Sequence, residues 1–337
     1  MKKHQTYIVI PNWNGESLIA ACLDSLIHQT VKASIVVVDN GSNDKSVEII
    51  KKHPVKPELI QHGVNKGFSG GVNSGIKHAM KKGADFVLLF NNDAIAPTNM
   101  VELLQKALDE PLVGMATAKF VSRDGRYLDS TGDFYSTWGL SFPRGRGESD
   151  LNKYDDKRDV FGVSGGASIY KVVMLKQIGL FDEDFFAYYE DVDVSFRGQL
   201  AGWKARFVPE VVVKHHISAT TSKFKGFSTY HTFKNLPLLY LKNMPRPLYW
   251  KYMFKFKTIY TLLFLSAVKN GKGWYALRGG CVALIMLIPK KIKERLAIQR
   301  SRKVTATYID NILYHGIPPT AKKLRKAFPF ARHEDCN

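Results

Sequence analysis

The sequence predicts an α/β protein: a doubly wound, mostly parallel sheet followed by a basic, mainly helical C-terminal region. Three observations predict it. Short apolar runs alternate with stretches of helical periodicity over the first hundred residues. Two of those runs end abruptly in Asp and Asn, as strands do where a sheet edge meets a ligand. The charge is also uneven. Residues 1–213 carry 25 Lys+Arg against 26 Asp+Glu, and residues 214–337 carry 24 against 4, so the last third holds the whole excess of a +19 chain.

Taken in order, Thr6 to Pro11 is a short apolar strand closed by the turn Asn12-Trp13-Asn14-Gly15. It is too short for the apolar part of a signal peptide. Leu18, Ala21, Cys22, Ser25 and Leu26 recur at helical spacing, in a helix that could reach Gln29. Ala33 to Val38 is a second buried strand, ending in Asp39-Asn40-Gly41-Ser42. Ser42 or Asn43 caps a helix over 44–52, and Glu58 to Gln61 is the third strand. Asn65-Lys66-Gly67-Phe68-Ser69-Gly70-Gly71 then opens a helix reaching Lys82. Phe86 to Phe90 is uninterrupted by polar residues, as in a strand buried on both faces, and Asn91-Asn92-Asp93 stands at its C-terminal end. A carboxylate there can reach a divalent cation, and the cation a diphosphate. The plain alternative is a polar turn capping a helix near Pro97.

Several classes are excluded. The first turn has one glycine where a dinucleotide-binding Gly-x-Gly-x-x-Gly needs three, and no Gly-x-x-x-x-Gly-Lys-Ser/Thr occurs. Cys22, Cys281 and Cys336 lie far apart, against a disulfide framework or a zinc cluster and in keeping with a reducing compartment. Gly67, Gly70 and Gly71 would let backbone approach a ligand beside a helix N-terminus that favours anions.

Strand–PNWNG–helix, strand–DNGSND–helix, NKGFSGGVNSGI and FNND, in this order, resemble the family 2 inverting glycosyltransferases of GT-A-type fold. The likeness continues through Gly165-Gly166-Ala167, GLFDEDFFAYYEDVDVSFRGQLAGW and PEVVVKHHISAT, covers roughly residues 6–220, and is nearest to the bacterial rhamnosyltransferases. It implies a nucleotide-sugar donor. Asp39 would accept the imide N–H of uracil or thymine, besides capping the next helix. Pro11, Asn12 and Asn14 would line the base and ribose, with Asn65, Gly67 and Asn73 beside the nucleotide and diphosphate. Asn91, Asn92 and Asp93 stand at the Asp-x-Asp motif, whose first Asp is here Asn91. That departure leaves one strong ligand for Mg²⁺ or Mn²⁺, with His215 as the second metal residue and His216 turned away. Asp191 matches the catalytic base. Gly165, Gly166, Tyr189 and Glu190 would face the acceptor, and Phe185 to Tyr189 would form an aromatic shelf for sugar rings. Asp193 and Arg197 read as an i,i+4 pair without catalytic role, and Val192 and Phe196 as one helix face.

Residues 120–160 read as an excursion from the sheet, with an acceptor lid as its expected use. Beyond them, Tyr260 to Val268 and Cys281 to Pro289 are apolar but too short to span a bilayer, which takes about twenty residues. Flanked by Lys, Arg, Tyr and Trp, they suit an anionic membrane surface. The expected division is a catalytic nucleotide-sugar-binding domain over 1–220 and a region for membrane association or oligomerisation, including a homodimer, over 221–337. The expected location is cytoplasmic, peripheral on the inner face of the cell membrane, with a lipid-linked or polysaccharide acceptor. Nucleic acid is the lesser partner, since no binding motif supports it. A catalytically silent sugar-nucleotide or glycan-binding protein stays open as the alternative, with Asn91 as its support.

Overall fold

The computed structural model describes residues 4–215, 224–319 and 321. Its first half runs β1 (Thr6–Asn12), α1 (Ile19–Asp24), β2 (Ser34–Asp39), α2 (Ser46–Lys52), β3 (Glu58–Gln61), α3 (Gly67–Lys81), β4 (Phe86–Phe90), β5 (Ala94–Ile95), α4 (Met100–Ala107) and β6 (Val113–Ser122). Four short strands follow: β7 (Leu128–Ser130), β8 (Asp133–Tyr135), β9 (Ser141–Pro143) and β10 (Asp159–Val160). Then come β11 (Ala167–Lys171), α5 (Val172–Ile178), a 3₁₀ turn (Glu183–Phe185), α6 (Glu190–Leu200) and β12 (Lys204–His215). The basic third is helical: α7 (Phe227–Asn243), α8 (Arg246–Lys269), α9 (Gly273–Val282), a π-helical turn (Ala283–Leu287), α10 (Ile288–Arg300) and α11 (Ala306–Ile312).

The main sheet has the order β10-β12-β6-β11-β4-β1-β2-β3. Its half β4-β1-β2-β3 is wholly parallel, as the strand–helix alternation predicts. β11 is antiparallel to both β4 and β6, because the chain reaches it through the β7–β10 excursion rather than a helical crossover. Asn12 pairs in register with Asp39, so the polar ends of β1 and β2 stand together at one edge, beside Asn91 after β4.

Alternate residues of the strands feed opposite faces. Val9, Val36, Val87 and Leu89 pack with Val72 and Ile76 of α3, whereas Ile8, Ile10, Val37 and Leu88 pack with Ile19, Leu23 and Leu104 of α1 and α4. A third core joins Tyr135, Phe161, Phe185, Val192 and Phe196 to Leu236, Leu239, Tyr240 and Phe256 of the basic third. The 120–160 excursion is therefore scaffold rather than a lid: Tyr135 is fully buried, stacked on Phe161 and edge-on to Phe196, and Thr137 donates to the Tyr314 carbonyl. The expected domain boundary near residue 220 falls outside the described residues.

Between these helices lies a buried ionic network. Asp193 is fully buried and pairs with Arg197 at 2.8 Å and Lys242 at 3.0 Å, and accepts from the Asn243 amide at 2.8 Å. The expected i,i+4 pair is real, but interior. Lys242 also meets Asp182 at 2.6 Å, and Lys291 meets Asp182 at 2.5 Å and Asp184 at 2.7 Å. Burial alone would raise these acids; the ammonium and guanidinium groups outweigh it and hold Asp182 and Asp193 below the ordinary carboxylate range. Removing one partner of such a cluster strands charge in the interior, which costs about 3–5 kcal/mol. Lys242→Met should lower the urea midpoint by a corresponding amount at unchanged slope. A wild-type midpoint would mean that Arg197 and Lys291 carry the compensation alone.

Candidate active site

The C-terminal edge of β1 and β4, the N-terminus of α3 and the start of α6 enclose a cleft of about 560 Å³. One wall is polar. Asn12 donates to Asp39 Oδ1 at 3.1 Å and accepts from the Asn92 amide at 2.8 Å. Asp39 Oδ2 takes the Ser42 N–H at 3.1 Å in the turn after β2, but this is no helix cap: α2 begins only at Ser46, with Lys45 before it and no side-chain cap, so neither Asp39 nor Ser42 or Asn43 caps it, and the Asp39 carboxylate sits one hydrogen bond behind the cleft surface. Asn65 accepts from Gly67 N at 2.8 Å and from Asn40 at 3.1 Å, which fixes the glycine-led start of α3. Gly67 itself is left-handed (φ +72°), and a Cβ there would strike the Phe186 carbonyl and ring. Pro11 and Trp13 complete this side.

At the end of β4, Asn91, Asn92 and Asp93 all line the cleft. Asp93 Oδ1 is buried and lies 3.2 Å from His215 Nε2, as an ion pair when the imidazole is protonated. His215 Nδ1 is 2.8 Å from Asp129 Oδ2, and Asp129 pairs with Arg146 at 3.0 Å. Burial pulls the imidazole pKa down, but the hydrogen bonds and charges of Asp129 and Asp93 raise it to about 9. The buried Asp93 carboxylate suits Mg²⁺ or Mn²⁺, hard cations that take oxygen ligands, with the remaining ligands left to a diphosphate; His215 could join them only by giving up the proton that its two carboxylates hold on it. Among the described residues, three carboxylates do converge elsewhere, at Asp182, Asp184 and Glu294, but the Lys291 ammonium fills that centre.

The opposite wall is acidic and aromatic. Asp191 accepts from Gly165 N at 3.0 Å and from Val192 N at 2.8 Å. Burial raises its pKa, and those N–H groups partly offset the rise. Glu190, with one buried oxygen unpartnered, is pushed to about 8 by burial and by the Asp191 charge. The N–H donors aimed at Asp191 favour its charged form over that of Glu190. Phe186, Tyr188 and Tyr189 line the cleft. Each has a left-handed backbone (φ 63°, 69° and 72°), a conformation costing such residues about 1–3 kcal/mol.

Three expected site residues sit elsewhere. Asn14 accepts from Asn43 N at 2.9 Å and faces a separate polar depression, tying two loops together. The Asn73 amide is spent on the Phe181 backbone and Glu183, on the side of α3 away from the cleft. Phe185 is fully buried in the third core and leaves the aromatic shelf to its three neighbours. His216 and the Ser-Ala-Thr run after it lie outside the described residues. Asp129 was missed: it meets His215 across 86 residues, and nothing periodic marks it. Asp133 was missed too. It feels the Asp191 charge and is raised, mainly by burial, to about 8.

The profile of Glycosyl transferase family 2 matches residues 7–179, just over half of the chain. The chain belongs to that family. The enzyme is 25% identical over 279 residues to the dTDP-rhamnosyl transferase RfbF of Shigella flexneri, covering 78% of this chain and 89% of that protein. It is 26% identical over 210 residues to the N-acetylglucosaminyl-diphospho-decaprenol L-rhamnosyltransferase of Mycobacterium tuberculosis, covering 56% and 68%. Its fold is of the GT-A type. It matches the Pyrobaculum calidifontis mannosyltransferase PcManGT, solved with GDP-Man and Mn²⁺, at TM-score 0.55 and 17% identity over 88% of this chain and 85% of that one. It matches S. aureus TarS 1–349 with UDP-GlcNAc at TM-score 0.57 and 16% identity over 91% and 89%. The glycosyltransferase fold expected from the motifs is thus present, and the chain is a sugar-transferring enzyme.

Glu190 generates a prediction about stability. Its folded pKa, about 8, lies above its ordinary 4.5, so the folded state binds the extra proton between those values. Its contribution is complete below pH 4.5 and is lost as pH rises through 8. Between pH 5.5 and 8.5, Glu190→Gln should lose less stability than wild type, read as a smaller fall in urea midpoint. Parallel curves would place the proton elsewhere.

Proposed function

We propose that the enzyme transfers L-rhamnose from dTDP-rhamnose, with inversion, to a hydroxyl of a lipid-linked or polysaccharide acceptor. The observation that carries the transfer reading is Asp191, a carboxylate held by two backbone N–H groups on the wall facing the Asp93–His215 pair. The two rhamnosyltransferase relatives support the donor, and the one named for a decaprenol-linked substrate supports a lipid-linked acceptor. Asp191 takes the proton of the acceptor hydroxyl as its oxygen attacks the anomeric carbon. The bond to the diphosphate breaks on the opposite face, and its electron pair leaves with the nucleoside diphosphate. Pro11, Asn12 and Asn65 hold the nucleotide, with Asp39 positioning Asn12, while Gly67 admits it closely. Asn91 and Asn92 orient the diphosphate end. Gly165, Gly166, Tyr189 and Glu190 shape the acceptor side. Mg²⁺ or Mn²⁺ on Asp93 and His215 would offset charge on the leaving group.

The test is a thermal-shift screen of dTDP- and UDP-sugars, with Mn²⁺ and with EDTA, followed by turnover of the sugar that binds. A true donor raises the melting temperature. Asp191→Asn should keep that shift and lower turnover by at least about a hundredfold. Wild-type turnover in this variant would remove Asp191 as the base. Binding without turnover in wild type would favour a silent sugar-nucleotide-binding protein.

The same reading places the enzyme on the inner face of the cell membrane. No described helix is long and apolar enough to cross a membrane. Trp250, Phe254, Leu265 and Val268 nevertheless form one exposed stripe along α8. Trp274, Leu277, Ile285, Ile292 and Leu296 recur at helical spacing along α9, the π-helical turn and α10, also exposed. With the net +20 of residues 214–337 around them, such stripes fit an anionic lipid surface. The enzyme should sediment with anionic vesicles and much less with neutral ones. Ile285→Glu should weaken that binding severalfold at unchanged melting temperature. Equal binding to both lipids would make apolar insertion the main anchor, and binding to neither would leave the stripes to a second copy of the chain.

A further inference from the structure

The turn Phe185–Tyr189 is the most strained backbone near the cleft. Among the described residues five non-glycine residues have positive φ, and three of them are Phe186, Tyr188 and Tyr189. Bulky aromatic residues do not hold this conformation unaided. The turn brings three carbonyls toward one point, and the Asn235 side chain of α7 stands there. Its Nδ2 donates to the carbonyls of Phe185 at 3.0 Å, Ala187 at 2.9 Å and Tyr188 at 2.8 Å, two hydrogens shared among three acceptors. The next residue back, Lys234, donates to the carbonyls of Asp184 at 2.6 Å and Phe185 at 3.2 Å. One turn earlier, His231 lies flat on the Phe186 ring, 5.4 Å between centroids and 10° between planes. Asn235 is fully buried, and its Oδ1 has no partner. Its donating capacity is therefore turned wholly on the strained turn.

What the turn controls is the start of α6. Tyr189 is the residue immediately before the helix, and its left-handed φ sets the direction in which Glu190 and Asp191 leave. We propose that Asn235, assisted by Lys234, is a positioning residue of the transferase. It holds the 185–189 turn left-handed, so that Asp191 reaches Gly165 N and the rings of Phe186, Tyr188 and Tyr189 line the acceptor side. α7 lies outside residues 7–179, so part of the acceptor wall is set by the basic third. The functional half of this inference rests on Asp191 being the base; the conformational half does not.

The test uses the full chain and Asn235→Ala. Amide exchange is followed at Phe186, Ala187 and Asp193, whose N–H groups bond Glu183, Phe185 and Tyr189 in the intact turn. These amides should exchange at least about tenfold faster in the variant, and amides of β1, β2 and β4 should not change. Turnover of the donor found by thermal shift should fall at least about tenfold, with its KM within about twofold, because the nucleotide wall does not touch Asn235. Tyr188→Gly added to Asn235→Ala should slow exchange again, since glycine adopts the left-handed form without a clamp. Should Asn235→Ala fail to fold, Lys234→Met is read in the same way, with a smaller local change. Unchanged exchange in the turn overturns the proposal, and so does exchange that rises equally across the sheet. If no sugar nucleotide binds wild type, the transfer reading fails and the exchange data alone decide the clamp.

Discussion

Helix α6 imposes the constraint on which much of the structure depends: within four residues it carries Glu190 and Asp193 into the interior and sets Asp191, half-buried, in the cleft wall. A buried carboxylate must be paired, hydrogen-bonded or protonated. Each of the three takes a different course. Asp193 is neutralised by Arg197 and Lys242 and bonded by Asn243. Asp191 is held by backbone N–H groups and stays available to the cleft. Glu190 has no cation in hydrogen-bond contact and keeps its proton. Environment alone separates a neutralised acid from one left open to the cleft two residues away.

That constraint reaches into the basic third. The net +20 of residues 214–337 reads from sequence as charge seeking an outside partner. Part of it is spent inward. Lys242 and Lys291 are buried against Asp182, Asp184 and Asp193, and Lys234 is buried against the carbonyls before α6. Composition cannot distinguish these lysines from exposed ones such as Lys251 or Lys257. The distinction is set by which helix face meets α6, and that is a tertiary fact.

The elements that were legible share a local cause. Strands β1, β2 and β4 are built on runs of consecutive apolar residues, and polar residues end each run. Asn12, Asp39 and Asp93 could therefore be placed by counting. Asp191 was legible through motif order, and the register of β1 with β2 and β4 brings the wall opposite it together. What failed needed information across the chain. Asn73 has the composition of a ligand-side residue, but the helical phase of α3 turns it to Phe181, 108 residues away. Phe185 sits in an aromatic run, and only the fold separates it from the three rings that face the cleft.

Asn235 is the hardest case of that kind, since nothing near it in sequence marks it. An asparagine in the middle of a helix is a mildly poor choice for the helix itself. It competes with the backbone for hydrogen bonds and gains nothing from its neighbours on α7. Its value appears only where the left-handed turn has gathered three carbonyls. A leucine there would bury more apolar surface but take this donor from the Ala187 and Tyr188 carbonyls, while the Phe185 carbonyl would keep Lys234 and the Ala187 N–H. Unsatisfied buried acceptors cost about 1–3 kcal/mol each, so the turn would relax toward ordinary φ values and carry the first residues of α6 with it. The polar residue that weakens α7 locally is thus what permits the conformation on which α6 depends, fifty residues before it.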